Sequence, residues 1–111
     1  MKRFLMAVSA GVCVFMVVVT TRATMQQSLP AAWPSYQANP WAMATLADAY
    51  SGFTLFWIWV AFRERSWPAR IIWLVLIYAT GNIATAAYLF IALAKLRDDQ
   101  PASAVLTSRP A

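Results

Sequence analysis

Asp48 is the one charged residue in the stretch from Asn39 to Phe62. An ionisable acid within a membrane-crossing helix costs on the order of 3 kcal/mol on insertion scales, so it is by default a functional hypothesis. At helical spacing it shares a face with small and weakly polar residues. They are Ala44, Thr45, Ser51 and Gly52. Such a stripe could dock another helix, carry a proton or line a ligand pocket.

A second group of polar residues follows later in the chain. If the next helix runs antiparallel to the one that contains Asp48, these residues lie at the same membrane depth as Asp48. They are Asn82, Thr85 and Tyr88. Gly81 and Thr85 form a small-x-x-x-small pattern, with Ala84 on the same face, which permits close helix approach. We therefore expect Asp48 to be hydrogen-bonded to one of the three polar residues, and Gly52, Gly81 and Ala84 to be packing positions. Because no second acid lies at that depth, helix packing or partner docking is favoured over proton or ligand chemistry.

Three apolar segments of membrane-spanning length must position these residues, at about 4–21, 41–62 and 69–95. Hydrophobic residues make up 61% of the 111 residues, against roughly 45–50% in soluble proteins. We predict an all-α fold, a three-helix transmembrane bundle formed by residues 1–97. Residues 22–40 are expected to be a loop, because Pro30 and Pro34 disfavour a regular helix. Residues 98–111 are expected to be a flexible tail.

Local signals mark the helix starts and the membrane interfaces. Asn39 can cap backbone N–H groups and Pro40 suits a first helical turn. Ser66 or Trp67 is the expected cap of the third helix, which Pro68 opens. The tight turn before it makes the second and third helices antiparallel neighbours. Four indole rings are predicted interfacial anchors. They are Trp33, Trp41, Trp67 and Trp73.

The basic residues flank the apolar segments, so the net charge of +5 indicates membrane orientation and no nucleic-acid partner. The first loop carries one basic residue and the tight turn three, which favours a cytoplasmic N-terminus and an external C-terminus. We expect a multi-pass location in a bacterial inner membrane. The first segment could alternatively be a cleaved signal peptide ending at Thr21-Arg22-Ala23. Its apolar run exceeds the usual core of roughly 7–15 residues, which favours a retained helix.

Several chemistries are excluded by composition. The chain has no histidine, which removes His-ligated haem, Ser-His and Cys-His pairs and the usual zinc sites. Cys13 is the only cysteine, so no intrachain disulfide can form. Both lysines, Lys2 and Lys95, lie at segment edges, which excludes a buried Schiff-base lysine. No metal and no cofactor is predicted, and the sequence favours a non-enzymatic protein.

Short motifs carry a resemblance to a known family. They are Asn39-Pro40-Trp41, Thr45-Leu46, Asp48 and Tyr50, Glu64-x-Ser66-Trp67, Gly81-Asn82-Ile83-Ala84-Thr85 and Tyr88. With them the chain resembles small three-span membrane proteins catalogued as a domain of unknown function. The resemblance covers roughly residues 39–93. It implies a fold and a topology but no reaction, and it includes the Asp48 stripe among family-like positions.

Three functions remain open from the sequence. The first is an accessory subunit that uses the Asp48 face for helix packing or for docking other membrane proteins or a second copy. The alternative is a small-molecule- or proton-handling membrane protein, of transporter or lipid-modifying type, in which Asp48 is the functional acid of a pocket. A third has the interfacial loop, with Trp33 and Tyr36, as the active element. In each case the lipid bilayer is the expected surrounding.

Overall fold

The computed structural model describes residues 1–106, in which all regular secondary structure is helical. Five α-helices and one short 3₁₀ helix follow in order: α1 (Lys2–Gln26), α2 (Leu29–Ala38), α3 (Pro40–Arg63), α4 (Trp67–Thr80), α5 (Asn82–Ala94) and the 3₁₀ helix Ala102–Leu106. The all-α prediction is confirmed. The number and course of the helices differ from the predicted three.

The starts of α3 and α4 follow their local signals. The Asn39 side-chain oxygen accepts hydrogen bonds from the backbone N–H groups of Trp41 at 3.0 Å and Ala42 at 3.3 Å. The Ser66 hydroxyl oxygen accepts from the Ala69 N–H at 3.4 Å. Each cap satisfies donors that the first turn leaves without an intrahelical partner, and each is followed by a proline in the first turn.

The expected loop at 22–40 is instead mostly helical, so that prediction is wrong. The first helix continues to Gln26, and α2 occupies Leu29–Ala38. Pro30 lies in the first turn of α2, where a missing N–H costs nothing. Pro34 removes one further donor, but the Ser28 hydroxyl caps the helix by accepting from Ala31 N–H at 3.3 Å. A capped short helix therefore accommodates one proline in its first turn and one in its interior.

The predicted helix at 69–95 is also wrong, because the chain folds back at Gly81. The rings of Trp73 and Tyr88 lie edge to face with centroids 4.8 Å apart. In one continuous helix these residues would be about 22 Å apart along the axis. Gly81 has φ +61°, a conformation that favours glycine, and a Cβ there would lie 2.9 Å from the Phe53 ring. Helices α4 and α5 therefore form a hairpin with its corner against α3.

Contacts at both ends of α5 place it antiparallel to α1. The Lys2 ammonium donates to the Leu96 carbonyl at 3.1 Å, and the Cys13 thiol approaches the Ile83 carbonyl at 3.9 Å. On the other side of the hairpin, the Trp57 indole donates to the Arg70 carbonyl at 2.9 Å. Helix α5 thus runs back beside α4 and lies against α1.

Part of the expected flexible tail is packed against the helices. Val105 is buried in a cluster with Leu93 and Leu96, and the Trp59 indole donates to the Leu106 carbonyl at 3.3 Å. The prediction of a flexible tail is therefore wrong for this segment, because Val105 supplies apolar surface that the cluster buries. Residues 107–111 lie outside the described residues.

Only α1 among the described helices is both long and apolar enough to cross a membrane. Helix α3 has 24 residues, about 36 Å, but Asp48 and its hydroxyl-bearing neighbours lower its hydropathy. Helices α4 and α5 have 14 and 13 residues, about 20 Å each, which is short of a hydrocarbon core of about 30 Å. One candidate span, at the N-terminus, is what length and composition support.

The described residues form an elongated body of 50 × 27 × 22 Å. At one end, here called the basic end, the start of α1, the end of α3 and the end of α5 meet. At the other, here called the open end, the last turns of α1 and the first turns of α3 are joined by α2. The α4–α5 corner touches α3 at Phe53, so the first turns of α3 continue beyond it.

Candidate functional site

The basic end contains a buried polar cluster centred on Tyr88. Arg63 Nη1 donates to the Tyr88 hydroxyl at 2.9 Å, and that hydroxyl donates to Glu64 Oε1 at 3.0 Å. Arg63 and Tyr88 are only 5% and 3% exposed. The hydroxyl thus links a cation to an acid, which satisfies groups that would be costly to bury alone.

Aromatic rings enclose this cluster. Phe56, Trp59 and Trp73 each meet the Tyr88 ring edge to face, with centroid distances from 4.8 to 6.1 Å. The Arg63 guanidinium lies 5.4 Å from the ring centroids of both Trp59 and Tyr88. A cation over ring faces is attracted by about 0.5–2 kcal/mol, more when water is excluded. The cage therefore holds the guanidinium by ring attraction as well as by hydrogen bonding.

Helix termini and the α3–α4 turn position the cluster. Arg63 is the last residue of α3, where a cation complements the helix dipole. The Arg70 side chain reaches back from α4, and its Nε donates to the Glu64 carbonyl at 3.0 Å. The Arg70 guanidinium also lies 4.9 Å from the Trp67 ring centroid. These contacts fix the turn and hence the direction of the Glu64 side chain.

A small cavity of about 120 Å³ opens beside the cluster. Its lining residues are Arg63, Glu64, Trp73, Tyr88, Ile91, Ala92 and Lys95. That volume accommodates a few water molecules. Within residues 1–106, no group of three or more His, Cys, Asp or Glu side chains could hold a metal ion. The arrangement holds one hydroxyl between opposite charges, and its role is structural. We call the three residues Arg63, Tyr88 and Glu64 the buried lock.

Asp48 does not join the other members of the predicted polar cluster. It is exposed, and no hydrogen bond links it to Asn82, Thr85 or Tyr88. The Thr85 hydroxyl donates to the Asn82 side-chain oxygen at 3.2 Å instead. Because α5 turns back at Gly81, it carries Tyr88 to Arg63, about 22 Å along α3 from Asp48. The predicted hydrogen bond therefore fails on topology.

The remaining residues of the Asp48 stripe also lack partners on other helices. The hydroxyls of Thr45 and Ser51 donate to carbonyls one turn earlier in α3, at 2.9 and 2.8 Å. A Cβ added at Gly52 would meet nothing within 4 Å, so this glycine is not at a helix contact. Gly81 and Ala84, by contrast, lie at packed positions, against Phe53 and within the buried cluster.

The four predicted anchors divide into two kinds. Trp33, Trp41 and Trp67 are exposed, and Trp33 stacks on Tyr36 within α2 with centroids 6.2 Å apart. Trp73 is partly buried against Tyr88, so it acts as a wall of the cage. An interfacial role remains a prediction for the three exposed indoles.

The sequence reading missed the residues that enclose Tyr88. Phe56, Trp59 and Arg63 recur at spacings of three and four, which places them on one face of α3. An aromatic pair leading to a helix-terminal arginine is a usable signal for such a cage. From the sequence, Tyr88 is expected at the depth of Asp48 and is therefore not connected with this face of α3.

Over residues 1–106, the fold and the cluster define an all-helical protein with one candidate membrane-crossing helix and a buried Arg–Tyr–Glu lock. A protein-family model described as "Protein of unknown function (DUF1475)" matches residues 3–108, and the chain belongs to that family. The match extends well beyond the residues 39–93 that carried the resemblance. No curated protein and no solved structure matches the chain.

Proposed function

We propose that this protein is an integral membrane protein in which α1 and α3 cross the bilayer and the α4–α5 hairpin enters and returns at the basic end. This arrangement replaces the three-span bundle expected from the sequence. It is supported by helix length, because α4 and α5 are each about 10 Å too short to cross. Large exposed apolar side chains along α1, such as Phe4, Val14 and Phe15, suit contact with lipid.

The distribution of basic residues supports this topology. All but one of the lysines and arginines in the described part of the chain belong to the basic end: Lys2, Arg3, Arg63, Arg65, Arg70, Lys95 and Arg97. Arg22 lies near the far end of α1, about 30 Å from Lys2 along the axis. The positive-inside rule then assigns both ends of the described chain to the cytoplasm. The proposal thus reverses the expected external C-terminus.

Packing at the start of α1 supports a retained helix over a cleaved signal peptide. Leu5 and Met6 pack against the buried cluster of Leu93, Leu96 and Val105. Ser9 is 2% exposed, and its hydroxyl donates to the Leu5 carbonyl at 2.9 Å. Cleavage after residue 23 would remove one wall of that cluster.

Within the membrane, the protein acts as a non-enzymatic accessory subunit that docks a partner helix on the Asp48 face. The observation that carries this function is the exposed, unpartnered Asp48 on the part of α3 that extends past the hairpin. In the described residues every buried side-chain N or O atom has a hydrogen-bond partner, so internal polar groups are otherwise satisfied. An acid at this depth in lipid needs a donor, and the fitting partner is a membrane helix bearing a cationic or amide side chain.

Site-specific photo-crosslinking in native membranes tests this function. A photoreactive residue at Ala44, one turn from Asp48, should form one discrete adduct with an identifiable membrane subunit. The matched control at Leu46, on the opposite side of α3, should not. Asp48→Asn should keep the adduct, because the amide still bonds, and Asp48→Leu should abolish it. Equal crosslinking from both positions, or an adduct that survives Asp48→Leu, would contradict docking at this face.

The same variants address proton or small-molecule chemistry. If Asp48→Asn keeps the adduct but reproduces the cellular phenotype of deleting the protein, then the acid itself acts. That result would favour the small-molecule- or proton-handling alternative, because only titration is lost.

A further inference from the structure

The groove between α1 and α5 is lined entirely by apolar side chains. It has a volume of about 250 Å³, and its walls are Ala10, Cys13, Val14, Ala86, Ala87, Phe90 and Ile91. Alanines from both helices create the recess, because their side chains stop short of the neighbouring Val14 and Phe90. The groove lies on the outer face of the bundle, on the candidate membrane-crossing helix.

Two cations lie beyond the groove in the direction of the basic end, and one of them, Lys95, lines the small cavity beside Tyr88. Arg3 is seven residues before Ala10, so it lies on the same face of α1, about 10 Å nearer the basic end. Lys95 follows Ile91 by four residues on α5, about 6 Å further in the same direction. Both side chains are exposed. Within residues 1–106, neither side chain takes part in a hydrogen bond or an ion pair.

Two acidic side chains near these cations already have partners. Glu64 lines the small cavity beside Tyr88 together with Lys95, and it accepts from the Tyr88 hydroxyl at 3.0 Å. Asp98 pairs with Lys2 at 3.5 Å, and Lys2 also donates to the Leu96 carbonyl. No acidic side chain lines the groove. The two cations are therefore not neutralised by a groove residue.

We propose that this groove binds one anionic phospholipid, with an acyl chain in the groove and the headgroup phosphate between Arg3 and Lys95. The inference rests on the proposed membrane placement. The distance from Arg3 to Val14 is about 16 Å along α1, close to half of a hydrocarbon core of about 30 Å. An acyl chain of one leaflet thus matches the groove in depth, and basic residues flanking intramembrane grooves on the cytoplasmic side favour anionic headgroups.

Native mass spectrometry of the full chain, released from a mild detergent, tests the site. The probes are phosphatidylglycerol and phosphatidylcholine with identical acyl chains. We expect preferential retention of one phosphatidylglycerol. Because each surface cation contributes about 1 kcal/mol, replacing both Arg3→Gln and Lys95→Gln should weaken its retention by about fivefold per residue. The matched control, Arg65→Gln with Arg97→Gln, removes the same charge from the same end and should change it little.

A groove variant separates chain binding from headgroup binding. Ala87→Leu fills the recess and should lower retention of both lipids, while circular dichroism verifies that the helices are intact. Equal retention of the two lipids by the unaltered chain would overturn the proposal. So would displacement by soluble glycerol phosphate, which would indicate a free-anion site, or a dimer that Ala87→Leu disrupts, which would indicate a second copy in the groove.

Alkaline extraction of membranes distinguishes failure of the proposed membrane placement from failure of the lipid site alone. Release of the protein into the supernatant would contradict the membrane placement itself, and the lipid site would fall with it. A protein that stays in the membrane but retains both lipids equally would overturn the lipid site alone.

Discussion

Each half of α3 carries one charged residue, and the two residues have opposite surroundings. Arg63, at the basic end, is 5% exposed, hydrogen-bonded to Tyr88 and enclosed by rings. Asp48, on the part that extends past the hairpin, is exposed and has no partner among the described residues. The hairpin explains this difference, because α5 returns towards Arg63 and leaves the first turns of α3 uncovered. One end is thus stabilised from within the chain, and the other is available to something outside it.

The largest expected effect comes from removing the ring at the centre of the lock. Tyr88→Ala should lower the free energy of unfolding by about 3–5 kcal/mol, because it leaves a cavity and removes a partner of the buried Arg63. Tryptophan fluorescence during denaturant unfolding in micelles would measure it, since Trp59 and Trp73 contact the ring. Tyr78→Ala, at a more exposed ring, is the matched control and should cost less. Equal costs would remove the distinction between a buried lock and ordinary aromatic packing.

Removing only the hydroxyl tests the polar part of the lock. Tyr88→Phe keeps the rings in contact but leaves Arg63 and Glu64 without their shared partner, at a cost of about 1–3 kcal/mol. In a double-mutant cycle with Glu64→Ala, the two losses should not add, because both remove the same hydrogen bond. Additive losses would show that the hydroxyl and the carboxylate act independently.

The corner of the hairpin should be next in sensitivity. Gly81→Ala places a side chain at positive φ and against the Phe53 ring, so we expect a loss of about 1–2 kcal/mol in unfolding free energy. Combining it with Phe53→Leu should recover the steric part of the loss only. Gly52→Ala is the internal control, because nothing lies within 4 Å of the added Cβ. A Gly81→Ala variant as stable as the Gly52→Ala variant would argue against the fold-back.

The smallest effect is expected at the open end. Asp48→Leu should change the unfolding free energy of the isolated protein by no more than about 0.5 kcal/mol, as is usual for exposed positions without partners. The measurement is the same denaturant titration. A loss as large as that of Tyr88→Phe would mean that Asp48 has an internal partner, and the contrast between the two ends would disappear.

The predictions from sequence succeeded where the physical cause is local. The caps at Asn39 and Ser66 depend on a side chain and the N–H groups two or three residues later, so short motifs identify them. They failed where the cause is distant. In the sequence, Gly81 is one more small residue in an apolar run. The chain reversal at Gly81 is evident only from its contact with Phe53, which lies 28 residues earlier.

The candidate site shows the same division. Sequence reasoning selected Tyr88 and Asp48 as notable polar residues and then paired them, because it assumed one straight helix across residues 69–95. A reversal at Gly81 sends Tyr88 to the opposite end, so the pairing failed although both residues proved distinctive. The spacing of Phe56, Trp59 and Arg63 already indicated a common face, but it did not indicate which residue would meet it.

By itself, the sequence determined the helical class, the starts of α3 and α4 and the grouping of basic residues beside apolar segments. These follow from composition and from contacts between residues close in the chain. The tertiary structure decided that the apolar run at 69–95 is a hairpin, that Tyr88 joins Arg63 and Glu64, and that Asp48 stays uncovered. The reason is physical: a positive-φ corner and ring packing between distant segments choose the direction of α5, and hydropathy is the same for either direction.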